Sequence, residues 1–75
     1  MRLPERITVD PDIMMGKPCV RGTRIPVDLL LQKMAAGEIA EALLAAYPQL
    51  SRAYLHAVWE YAARSAAEEV VLAAD

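Results

Sequence analysis

The sequence predicts a mostly α-helical fold: a short N-terminal β-arm of two short strands, then a bundle of three short helices. Three observations carry this. Proline and glycine punctuate the chain up to residue 26, at Pro4, Pro11, Gly16, Pro18 and Gly22. From Pro26 onward the apolar residues recur with a helical period. The 75 residues, 56% of them apolar, make one small domain. Residues 1–25 hold the arm and its turn, residues 26–75 hold the helices, and the two are expected to fold as one unit.

In the arm, Ile7-Thr8-Val9 is a β-branched run that stops at the turn signal Asp10-Pro11. Cys19-Val20 is a second extended segment, after Pro18. The two suit a hairpin with a long connection. A lone two-stranded hairpin is marginal in water, so the arm must pack on the helices or pair with another chain.

Pro26 suits a first helical position, where no backbone N–H is needed, and Asp28 lies favourably in the first turn. Val27, Leu30, Leu31 and Met34 form a buried stripe, and Gly37 reads as the C-terminal cap. The second helix is expected over residues 38–46, with Ile39, Ala42, Leu43 and Ala46 on one face and Pro48 ending it. Ser51 is a good N-cap for the third, which carries Leu55, Val58, Trp59, Ala62 and Ala66 and runs to about Glu69 or further. Leu50 can staple against Leu55. Trp59 is assigned to the core or a dimer interface. The apolar tripeptide Val70-Val71-Leu72 either meets a partner or folds back on the core. The turn 47–51 between the last two helices fits a helix-turn-helix, as it fits other αα-corners.

Composition bounds the function. A domain of this size buries only about 60% of its unfolded surface, so it is marginally stable alone. Cys19 is the only cysteine, so no intrachain disulfide can form, and no Cys/His set suits a structural zinc. Oligomerisation is the remaining staple, and a homodimer or a partner complex is expected. Apolar runs are far shorter than the about 20 residues a membrane span needs. The N-terminus lacks the apolar core of a signal peptide. A cytoplasmic protein without a membrane role is therefore expected, and a free thiol suits that compartment.

Net charge is −2. Residues 1–33 hold six basic against four acidic residues, and residues 34–75 hold two against six. Lys17, Arg21 and Arg24 form the densest basic stretch, which could face an anion or simply be solvated. Catalysis is not expected. His56 is the only histidine, Asp10 and Asp12 suit a turn, Glu68 and Glu69 suit a solvated helix face, and the three glycines make no phosphate loop. No cofactor or metal is implied. His56 is expected to be exposed, within reach of Glu60 four residues on. Cys19 reads as a small buried apolar residue.

One motif is specific: Gly16-Lys17-Pro18-Cys19-Val20-Arg21-Gly22-Thr23-Arg24-Ile25-Pro26-Val27. Gly22 can supply a positive φ for a turn, and Thr23 can cap the helix that opens at Pro26. Arg21 and Arg24 would flank the turn, able to fork onto phosphate or carboxylate. Alternatively, Arg24 pairs internally with Asp28, Asp10 or Glu41.

With Asp10-Pro11, Ile13, Ala35-Ala36-Gly37, Tyr47-Pro48, Leu50-Ser51 and Tyr61-Ala62-Ala63, the motif resembles a family of small bacterial and archaeal proteins catalogued as a domain of unknown function. The likeness covers about residues 5–63, in order and spacing. It implies a homeodomain-like helix-turn-helix behind the β-arm. It also implies a VapB-type antitoxin, encoded beside a PIN-like ribonuclease toxin that it neutralises, with repression of the shared operon. Ile39 departs from the family by standing where a Ser/Thr-type cap is usual, which should fray the second helix by about 1 kcal/mol. Ala53 and Tyr54 replace acidic residues common in the first turn of the third helix, which mildly favours nucleic acid.

For operator DNA, the third helix would enter the major groove. The candidate DNA contacts are Lys17, Arg21, Thr23, Arg24, Arg52 and His56. That set is thin, so DNA affinity should need a dimer and collapse between about 50 and 200 mM salt. For a toxin, the candidate contacts are Arg21, Arg24, Val70, Val71 and Leu72. The two arginines would meet the acidic, metal-binding site of the nuclease. A stand-alone dimeric helix-turn-helix regulator is the alternative.

Overall fold

A computed structural model describes residues 1–68. Strand β1 (Ile7–Thr8) and strand β2 (Cys19–Val20) precede helices α1 (Val27–Ala35), α2 (Ala40–Ala46) and α3 (Arg52–Glu68). The mostly helical architecture with a short β-arm is therefore the one the sequence predicts.

The strands pair antiparallel, Ile7 opposite Val20 and Thr8 opposite Cys19. The chain then turns at Gly22 and comes back along the other edge of β2. Val20 N–H donates to the Ile25 carbonyl at 3.0 Å, and Val27 N–H donates to the Pro18 carbonyl at 2.9 Å. Cys19 forms a bridge with Pro26. β2 thus lies between two neighbours. The arm's stability problem is solved within the chain, because β1 packs against α3 and Ile7 and Val20 are fully buried.

This pairing moves Pro26 by one position. It is the N-cap of α1, with φ −68° and ψ 141°, because it still belongs to the ladder. Nor does Thr23 cap α1. Its hydroxyl donates to the Val20 carbonyl at 2.8 Å and accepts from Ile25 N–H at 3.0 Å, which ties off the Gly22 turn.

α1 buries Val27 and Leu30, with Leu31 and Met34 packed at the edge of the core. It closes on Gly37, at φ 102°, with Gly37 N–H bonded to the Met34 carbonyl and Glu38 N–H to that of Lys33, both at 3.0 Å. This is the paired C-terminal closure that favours glycine. α2 starts later than its pattern suggests. Ile39 is its N-cap, without a side-chain cap bond, and is 63% exposed. The buried face is consequently Leu43, flanked by Ala40 and Leu44, while Ala42 and Ala46 are exposed.

α3 opens at Ser51, whose carbonyl accepts from Tyr54 and Leu55 N–H. Leu50 and Leu55 share the core with Ala57 and Val58, as a staple across the helix start requires. Ala66 is exposed rather than in the stripe, and Trp59 is 42% exposed rather than core. The Trp59 indole N–H points to the Met34 sulfur at 2.9 Å, so the ring lies over the end of α1. No helix among the described residues is long and apolar enough to cross a membrane.

Candidate functional site

The six side chains singled out for DNA do not form one patch. Lys17 and Arg24 line a groove of about 400 Å³ with Met14, Pro26, Leu29 and Gln32. Lys17 Nζ lies 3.3 Å from the Asp28 carboxylate, and both groups are half exposed. Arg24 is exposed and has no hydrogen bond or ion pair among the described residues. Its three candidate partners are engaged elsewhere. Asp28 holds Lys17, Glu41 holds Arg52, and the Asp10 carboxylate accepts Asp12 N–H at 2.9 Å.

The loop that builds this groove is strained. Met14 and Met15 have φ of 50° and 56°, in the left-handed region, immediately before Gly16 at 80°. Left-handed backbone costs a side-chain-bearing residue roughly 1–2 kcal/mol. Met15 is 92% exposed, so burial of its side chain does not offset that cost.

Arg21 sits at the end of β2. Its Nε–H donates to the Glu5 carbonyl and its backbone N–H to that of Arg6, both at 2.7 Å. The side chain is strapped along the N-terminal segment, away from the set that Lys17 and Arg24 form. Arg52 opens α3 and pairs with Glu41. The Glu41 carboxyl is held below its ordinary range by its own backbone N–H first and the Arg52 guanidinium second. Cys19 is buried, as its sequence context suggests. Burial pushes its thiol up, Asp28 adds to the shift, and Lys17 opposes it.

His56 lies in a second groove, of about 630 Å³, between the N-terminal segment and α3. It is exposed, but Glu60 is not its partner. That carboxylate is taken by Arg64, one turn on. Arg2, Arg6 and Arg64 share this groove, and sequence reasoning singled out none of them. The Glu60–Arg64 spacing was a visible signal for one pair. Nothing local places Arg2 and Arg6 beside it, because that depends on how the arm packs. Val70, Val71 and Leu72 lie outside the described residues.

No group of three or more His, Cys, Asp or Glu side chains among the described residues could hold a metal ion. Two open grooves, one apolar with cations at its rim and one lined by arginines, mark the surface of a small domain built from a β-arm on three helices. The chain belongs to the family described as "Protein of unknown function (DUF433)", which matches residues 7–62.

A crystal structure of a DUF433 member protein from Anabaena variabilis ATCC 29413 superposes with a TM-score of 0.76 at 36% identity, covering 79% of this chain and 58% of that one. An uncharacterized protein, y4eO, of Sinorhizobium fredii is 48% identical over 46 residues, 61% of this chain but 21% of its own length. An uncharacterized protein of Archaeoglobus fulgidus is 62% identical over 24 residues, 32% of this chain and 67% of its own. The chain thus matches about a fifth of the Sinorhizobium protein and just over half of the Anabaena one.

Proposed function

We propose that this chain is the antitoxin-like member of a type II toxin–antitoxin pair, of VapB type. It neutralises a PIN-like ribonuclease by direct binding and represses its own operon as a homodimer in the cytoplasm. The observation that carries the protein-binding part is Arg24, exposed and unpaired among the described residues, at the rim of a groove with Met14 and Leu29. A guanidinium without an internal partner, set beside large apolar side chains, suits an acidic protein site. A nuclease active site built from metal-binding carboxylates offers that chemistry, an argument from analogy between folds.

The outward side of α3 supports DNA reading less well. Arg52 is partly neutralised by Glu41, and Glu60 and Arg64 pair with each other, which leaves His56. The stand-alone regulator nevertheless draws support from the arrangement of α2, the five-residue turn 47–51 and α3, whose first turns are largely exposed.

The test is growth rescue. The product of the adjacent reading frame is expressed alone and then with this chain. Toxicity alone and growth with both are the expected result, and Arg24→Ala should abolish rescue while leaving the helical circular dichroism unchanged. A harmless neighbour, or toxicity that the chain does not relieve, would leave the stand-alone regulator as the reading. Rescue that survives Arg24→Ala would remove the arginine from the interface.

A further inference from the structure

We infer that the groove between the N-terminal segment and α3 is a binding site for the phosphodiester backbone of a nucleic acid, with Arg2 and Arg6 as its contacts and Arg64, held by Glu60 and the Arg2 carbonyl, as the residue that positions the arm. The site is separate from the groove of Lys17 and Arg24, and the inference does not depend on a toxin.

Several contacts hold the arginines in place. Pro4 is buried and Leu3 packs against the core, so the segment is anchored between Arg2 and Arg6. The Pro4 carbonyl accepts Ile7 N–H at 3.0 Å, which closes a turn into β1. From the other wall, Arg64 Nη1 donates to the Arg2 carbonyl at 2.8 Å. The Arg6 guanidinium lies over the Tyr54 ring, 5.7 Å from its centroid, a cation–π contact that sets it at the first turn of α3. Arg64 also pairs with Glu60, which orients it along the helix.

The walls select the ligand. The helix side is lined by Ala53, His56 and Ala57, small or polar residues that let a sugar-phosphate chain come close. None of the exposed large apolar side chains lines this groove, in contrast to Met14 and Leu29 in the other. A protein partner would find little to bury here, whereas phosphate oxygens would find the exposed Arg2 and Arg6 guanidinium groups and the His56 imidazole. Arg2 and Arg6 lie four residues apart on the arm and are open to solvent. A single free phosphate would meet them one at a time in water. A polyanion engages them together and releases a counterion for each phosphate neutralised. An arginine-bearing arm beside an exposed helix is also how an N-terminal arm and a recognition helix share one duplex. Glu5 and Glu60 work against the site, and Glu60 is the one that can be removed without touching the arm.

The experiment is fluorescence anisotropy of a labelled duplex of mixed sequence, titrated with the full chain at several salt concentrations. The unsubstituted chain should bind at about 50 mM salt and release the duplex by about 200 mM. The double variant Arg2→Ala/Arg6→Ala should bind roughly tenfold more weakly at low salt, with a log–log salt slope shallower by about two. Glu60→Gln should tighten binding and leave the slope unchanged or steeper. Thermal unfolding of each variant separates loss of binding from loss of fold. Inorganic phosphate, matched in ionic strength by chloride, should compete no better than chloride.

Failure to bind the duplex at low salt would overturn the inference. So would binding whose affinity and slope the arm variant leaves unchanged. Phosphate competing beyond its ionic strength would reassign the groove to a free phosphate. Growth rescue by the arm variant is expected to persist, so failure here and failure of the antitoxin reading are distinguishable.

Discussion

Met15 is the residue whose conformation and surroundings agree least. It holds a left-handed backbone with its side chain almost wholly in solvent. Asparagine tolerates that conformation better, through its short polar side chain. Met15→Asn should therefore raise stability by about 0.5–1 kcal/mol, measured by urea unfolding with an unchanged m-value. Met14, not Met15, lines the Arg24 groove, so the same substitution should leave partner binding unchanged. Residue identity made Cys19, Gly22 and Gly37 legible in the sequence, since each does what its chemistry favours. Arg21, Arg24 and Arg52 were legible as charges but not as sites. Whether an arginine is free depends on which carboxylates and carbonyls the fold brings near it. The fold gives Arg52 a carboxylate and Arg21 a carbonyl, and among the described residues it gives Arg24 neither.

Among the elements, α1 and α3 follow from their apolar period, and α1 from its glycine closure too. α2 has seven residues and an uncapped start. Short helices gain little from propensity, so its limits are set by packing around Leu43. Its start is therefore open to improvement. Ile39→Ser should stabilise the domain by about 1 kcal/mol, since the residue is largely exposed and its extended backbone already suits a cap. Thermal unfolding of the variant beside the parent checks this, and an unchanged or lower midpoint would show that Ile39 packs on something in solution. The second groove was invisible at this scale. One of its walls is α3 and the other is a stretch without regular structure, and no periodicity predicts where such a stretch settles.

For the whole molecule, Trp59, Ile39 and the methionine loop leave large apolar side chains in water on a domain with a modest core. Association is the expected consequence. Sedimentation equilibrium at micromolar concentration should give about twice the 8.2 kDa chain mass. A monomer there would mean that these side chains wait for a different protein. Self-association would also bring two arginine-lined grooves into one particle.

The position of β2 has a consequence for solubility. Fibrillar growth needs a strand whose two edges can both accept a neighbour, so that each added copy exposes a fresh template. Here the inner strand is occupied on both sides, by β1 and by the segment entering α1. The outer edge of β1 is two residues long with proline at positions 4 and 11 on either side of it, and on the other flank Pro26 has no N–H to offer a neighbour. The arm therefore holds its β-branched residues in a form ill suited to templating a further strand, and the folded state is a poor seed for fibril growth.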